Sequence, residues 1–191
     1  DEAILNAMMR AKEAGVTMMV HAENADIITI LTNHYLSQGK TSPVYHYHAR
    51  PPIAEEEATG RAIALTKAAD CPLFVVHVSA KEAMEAIREA HNQGWPIFGE
   101  TCTHYLTLTT DYLDKPGFEG AKYVCAPPLR KKEDSQCLWK ALADGTIQTV
   151  STDHCSFTTE QKKLGMDDFT KIPGGMPGVE TRGTLLYTYG V

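Results

Sequence analysis

LFVVHVSAKEAMEAI (73–87) begins as a strand pattern and becomes a helix pattern within a few residues. Leu73–Val76 is too continuously apolar for a half-exposed strand and suits a parallel sheet covered on both faces. Ser79-Ala80-Lys81-Glu82 has the spacing of a capping box, so the next helix is expected to start at once. Met84 and Ile87 give that helix a core face, and Gly94-Trp95-Pro96 ends it. His77 falls at the junction. A strand that carries a polar residue to its end and then turns into a helix is the repeating unit of a (β/α) barrel, where chemistry sits at the C-terminal strand ends.

The same unit recurs on both sides. VTMMV (16–20) leads into His21, PIFGETC (96–102) is a further strand candidate, and TIQTVST (146–152) leads into Asp153. Helical patterns separate them. One runs from Asp1 to about Glu13, with Gly15 as its stop. Another starts at Asn24, carries Ile27, Ile28, Ile30, Leu31 and Tyr35 mostly on one side, and closes at Gly39. After a Pro- and Tyr-containing loop at 40–52, a third runs from about Ala54 to Ala69, with Glu55, Glu56 and Glu57 in its first turn, where the helix dipole favours acids. Residues 103–133 mix loop with short elements, and a helix over about Asp134–Ala143 stops near Gly145. Four strands separated by helices signal parallel βαβ units. A complete eight-stranded barrel takes about 250 residues, so the expected fold is α/β, half of a (β/α)₈ barrel. The chain opens on Asp1 and stops at Val191 inside an apolar stretch, which reads as an internal piece of a longer protein, residues 1–191 being one partial catalytic barrel domain.

Of the 191 residues, 43% are hydrophobic and 22% charged, ordinary for a globular chain. The net charge of −6 gives no basic footprint for nucleic acid. No apolar run reaches membrane-spanning length. Five cysteines, with no C-x-x-C spacing, read as reduced thiols and point to the cytoplasm.

His21, His77 and Asp153 share one topological place, strand end before helix, and two imidazoles with a carboxylate suit a divalent metal such as zinc. Any one alone would read as a packed strand-end residue. His46 and His48 form an H-x-H pair, but they lie in the expected loop before Arg50-Pro51-Pro52 and read as surface or interface histidines. His104 lies just past a strand end, where ligation and packing are evenly balanced. His154 should point away from Asp153's side, and His34 and His91 fall on helix surfaces. Cys102 and Cys155 lie near strand ends, yet no adjacent base is identifiable, so small buried thiols are expected. Pro173-Gly174-Gly175-Met176-Pro177-Gly178 lacks the lysine and spacing of a phosphate loop; it reads as a tight loop whose backbone can approach a ligand.

At these residues the chain resembles the dihydropyrimidinase (D-hydantoinase) branch of the cyclic amidohydrolases. The resemblance runs through VHAEN (20–24), RPPIAEEEATGRAI (50–63), VVHVSA (75–80), GETCTHYL (99–106), KYVCAPPLR (122–130), STDHCSF (151–157) and DFTKIPGGMPGVETR (168–182). Dihydroorotases and allantoinases share the HAE, HVS and PPLR elements; DHCSF and the glycine-rich ending are more specific. The resemblance implies a (β/α)₈ barrel of the amidohydrolase type with two zinc ions bridged by a carboxylated lysine, and this chain as its C-terminal half. His21 and His77 would bind one ion and Asp153 the other. The second ion's H-x-H pair and the bridging lysine would precede Asp1, and no lysine here occupies the matching position. Asp153 would take a proton from the attacking water and deliver it to the leaving ring nitrogen, opening a cyclic amide or ureide to an N-carbamoyl amino acid. Main chain at Ala126, where relatives often carry serine, and at Gly174, where they usually carry asparagine, would hold the ring. Glu100 and Asn24 would orient ligands or serve only local structure.

The resemblance also implies a homotetramer in the cytoplasm. Two alternatives stand beside the hydantoinase reading: allantoinase or dihydroorotase chemistry, and the non-catalytic dihydropyrimidinase-related scaffold proteins that have lost metal ligands. All three ligand positions covered here are kept, which favours the enzyme. Residues 1–191 alone, lacking the second ligand set, are expected to be inactive.

Overall fold

Met18–Val20 (β1), Leu73–Val75 (β2), Ile97–Cys102 (β3) and Thr149–Ser151 (β4) pair side by side in chain order, every pair parallel, in a computed structural model that describes residues 1–191. The register places Val20 beside Val75 and Val75 beside Gly99, with Cys102 beside Ser151 at the other edge. The sheet is open: β1 and β4 are its two ends. Ile4, Met9 and Met19 are left exposed on and near β1. β1 and β4 are shorter than their apolar patterns because the flanking residues serve turns. Val16 donates to Ala11 O (3.0 Å) and Gly15 adopts φ 67 to end the preceding helix, while Ile147 donates to Ala141 O (3.0 Å).

Glu2–Ala14 (α1) precedes β1. Ala25–Ser37 (α2), Val44–His48 (α3) and Pro52–Ala69 (α4) lie between β1 and β2, and Lys81–Asn92 (α5) joins β2 to β3. Thr103–Thr107 (α6) and Lys132–Ala143 (α7) connect β3 to β4; Thr159–Lys162 (α8) and Arg182–Gly190 (α9) follow β4. The region at 40–52 is therefore partly helical, since α3 occupies five of its residues. None of the helices is long and apolar enough to cross a membrane.

α5 shows how the core is built. Ala83, Met84, Ile87 and Ala90 recur at helical spacing, and all four are buried. They pack with Leu73 and Val75 of β2, Ile97 of β3, Leu138 of α7 and Ile147 in one continuous cluster. Gly99 lets the helix layer approach β3: a Cβ there would lie 2.5 Å from Ile147 Cδ1 and 3.3 Å from Ile87 Cδ1. The expected capping box at Ser79–Glu82 does not form. The N-cap of α5 is Ala80, without a side-chain cap. Asp134 of α7 accepts from Lys81 N (3.0 Å) instead, and Ser79 is drawn elsewhere.

Candidate metal centre and ligand cavity

His21 and His77 meet at the C-terminal ends of β1 and β2, with His21 Nδ1 and His77 Nε2 3.0 Å apart. The other nitrogen of His21 is already committed: Nε2 lies 3.1 Å from Glu23 Oε2, whose side chain is only 2% exposed. Arg50 Nη1 donates to the same oxygen at 2.6 Å. Burial opposes ionisation of Glu23, but the His21 hydrogen bond and the Arg50 charge together hold its pKa below the usual carboxylate range. A carboxylate that fixes one imidazole nitrogen leaves the other as a lone pair, the arrangement metal-binding histidines use. Two nitrogen ligands on a tetrahedral zinc at about 2.0–2.1 Å would stand roughly 3.3 Å apart, so the pair fits a nitrogen-seeking cation after a slight opening. The Glu23 contribution was not foreseen from sequence, although it sits two residues after His21 in VHAEN.

His77 owes its aim to the backbone. Its φ is 42, in the left-handed region uncommon for residues bearing a Cβ. Across it the donors switch sides: Val76 N bonds to Val20 O of β1 (3.2 Å), and Val78 N bonds to Glu100 O of β3 (2.6 Å). The segment after it is locked by α4. Glu55 Oε1 accepts from Ser79 N (2.7 Å) and Ala80 N (3.2 Å), and Oε2 accepts from the Ser79 hydroxyl and from Arg130 Nη2 (2.9 Å). Arg130 Nε also donates to Ser79 Oγ (3.0 Å), and Nη1 to Arg50 O. Glu55 and Arg130, with side chains 3% and 2% exposed, form a buried ion pair whose hydrogen bonds are shared with the loop carrying His77.

Asp153 also leaves its strand in the left-handed region, φ 42, and is exposed. Its charge favours protonation of both His77 and His104, against the burial that dominates and lowers the pKa of each, to about 4 for His104. It does not close on the histidine pair: no three His, Cys, Asp or Glu side chains gather around one point. His104, on α6, is buried with Nε2 unpartnered, and His77 Nδ1 is likewise unpartnered. Asn24 proves to be a helix cap, its Oδ1 accepting from Ile27 N (3.0 Å) and its Nδ2 donating to Glu57. Glu100 contributes its carbonyl to Val78 and a position in the β3–β4 register.

Ala126 and Gly174 come together. Both line a cavity of about 370 Å³ with Thr32, His46, Arg50 and Phe169 among their neighbours. Neither residue spends its N–H or C=O on another backbone group. His46, expected at the surface or an interface, is buried within the chain; α3 replaces the loop and separates it from His48, so no chelating pair forms. Its Nε2 donates to Cys125 O (2.8 Å), and burial, then Arg50, depress its pKa to about 4. His154 faces the glycine loop: Nδ1 accepts from Gly178 N (3.1 Å) and Val179 N (3.3 Å). Burial raises Cys102 and Cys125 to about 12, unsuited to nucleophilic attack. All five cysteines are free; Cys102 is buried as expected, whereas Cys155 is exposed.

No family model matches the chain. It is 51% identical over 192 residues to a D-hydantoinase of Geobacillus stearothermophilus, covering 100% of this chain and 41% of the relative. A D-hydantoinase of Streptomyces coelicolor is 52% identical over 188 residues, 98% of this chain and 40% of the relative. The crystal structure of a dihydropyrimidinase from Brevibacillus agri superposes with a TM-score of 0.97 at 53% identity, over 98% of this chain and 41% of that one. The chain thus spans about two fifths of the length of the curated relatives it matches, and its four-stranded parallel sheet is a partial barrel.

Proposed function

From a chain homologous along its whole length to D-hydantoinases and dihydropyrimidinases, we infer that the protein carrying it hydrolyses the cyclic amide bond of 5,6-dihydropyrimidines or hydantoins to N-carbamoyl amino acids, with zinc as its metal. The observation that carries this reading is the His21–His77 nitrogen pair at 3.0 Å, with Glu23 holding the far side of His21. His21 and His77 would hold one ion; Asp153 would contribute to a second, whose remaining ligands would come from outside these residues. Bound metal lowers the pKa of water and polarises a carbonyl.

The rest is work for the chain's own groups. Asp153, exposed at the rim, accepts a proton from the attacking water and returns it to the ring nitrogen as the C–N bond breaks. Ala126 and Gly174 offer main-chain donors and acceptors to the ring from one cavity. The retained histidine pair favours an enzyme over a scaffold protein that has lost its ligands. We propose one partial barrel domain over residues 1–191, and a cytoplasmic homo-oligomer for the whole protein.

Ring opening of dihydrouracil, hydantoin, allantoin and dihydroorotate, assayed in the full-length protein before and after chelation and zinc restoration, tests the reading. Hydantoin or dihydrouracil turnover that is lost with the metal and returns with zinc is expected. Turnover of allantoin alone, or indifference to chelation, would sink it. Residues 1–191 alone are expected to open none of the four.

A further inference from the structure

Lys162, at the end of α8, is 3% exposed, and all three of its hydrogen-bond partners are carbonyls rather than carboxylates. Nζ donates to Val124 O (3.0 Å), Pro173 O (2.7 Å) and Gly175 O (2.9 Å). A buried ammonium without a counter-ion is costly unless every proton is met; here three dipoles meet its three protons. Burial lowers its pKa.

What the clamp orients follows from planar trans peptides. Pro173 O points at Lys162, so the N–H of Gly174, in the same peptide, points away from it. Gly175 N bonds to Val124 O (2.9 Å), which turns the Gly174 carbonyl away from Val124. Both polar groups of Gly174 are thereby fixed, and neither is used by the backbone. Val124, the shared anchor, lies two residues before Ala126, which lines the same cavity as Gly174. At Gly175, φ 149 and the closeness of Cys155 admit no Cβ, so the loop has little freedom to compensate.

We propose that Lys162 is a positioning residue for substrate: by tying the carbonyls of Val124, Pro173 and Gly175 together it presents the main chain of Gly174 and Ala126 to the ring of a bound cyclic amide. This rests on the reading of those two residues as ring contacts. The test is steady-state kinetics of the full-length zinc enzyme with hydantoin and dihydrouracil, comparing Lys162→Met, which keeps length and removes all donors, with Lys162→Gln, which keeps two. Lys162→Met is expected to raise KM about tenfold, the equivalent of one hydrogen bond. Its kcat should stay within about threefold and its metal content unchanged, the pattern of lost uniform binding. Lys162→Gln should fall between, and decides alone if the methionine variant does not fold. A KM within about twofold of wild type in a folded variant, or a loss confined to kcat, overturns the proposal while leaving the hydrolase reading intact. A wild-type enzyme that opens neither ring defeats the hydrolase reading itself, and the proposal with it.

Discussion

Replacing Arg130 by methionine isolates the buried network behind His77. The substitution roughly keeps side-chain length but withdraws three donors: Nε to Ser79, Nη1 to Arg50 O and Nη2 to Glu55. Glu55, 3% exposed at its side chain, would then hold its charge with only the Ser79 N, Ala80 N and Ser79 hydroxyl donors. Removing one partner of a buried pair costs about 3–5 kcal/mol. Three surviving donors place the expected loss near the lower end, about 3 kcal/mol. The double variant Glu55→Gln/Arg130→Met is more informative. A glutamine carbonyl can still accept from Ser79 N and Ala80 N, and its amide can donate to the Ser79 oxygen that Arg130 has abandoned. The double variant should therefore recover about 1–2 kcal/mol relative to Arg130→Met, a non-additivity proper to groups in direct contact. Urea-denaturation midpoints at unchanged slope measure both quantities. A loss under about 1 kcal/mol for Arg130→Met, or a double variant less stable than Arg130→Met, would refute the network as an energetic unit.

Glu23→Gln should weaken zinc affinity about 10- to 100-fold in the full-length protein, because the partner that fixes the His21 nitrogen loses its charge; competition against a chelator of known affinity measures it, and unchanged affinity rules that role out. His46 has a folded pKa depressed from 6.5 to about 4, so the unfolded chain binds more protons between those values and stability falls as pH drops through that window. The loss attributable to His46 is roughly 3 kcal/mol, and His46→Gln should flatten the pH dependence of the urea midpoint between those limits. Gly99→Ala should destabilise by about 1–3 kcal/mol, since its methyl would crowd Ile147 Cδ1 at 2.5 Å; adding Ile147→Val should restore part of the loss, and a thermal melt of each variant decides.

The sheet was readable because its signal is local and strong. Apolar runs such as LFVV sit between helical patterns, and the four strands pair in the order the chain supplies. The meeting of His21 and His77 could be expected from shared position, since parallel neighbours bring equivalent strand ends together. What could not be read depends on partners far apart in sequence. Ser79-x-x-Glu82 matches a capping motif, yet Glu55 of α4 outcompetes it for the serine. Glu55 itself read only as a first-turn acid favoured by the helix dipole, and its pairing with Arg130, 75 residues on, left no mark in the local sequence. His46 read as a surface or interface histidine beside its prolines, but α3 turns it inward to Cys125 O, 79 residues away. Lys162 lies in an unremarkable polar stretch, and only the fold assembles carbonyls from two distant loops around it.

His77 and Asp153 keep a left-handed backbone that costs an L-residue roughly 1–2 kcal/mol and a glycine nothing. Drift toward stability at these two positions therefore runs toward glycine, which carries no Cβ. In a descendant no longer selected for what these side chains do, they are where glycine should settle first. A histidine and an aspartate persisting there would mark a rim still under selection for what it does.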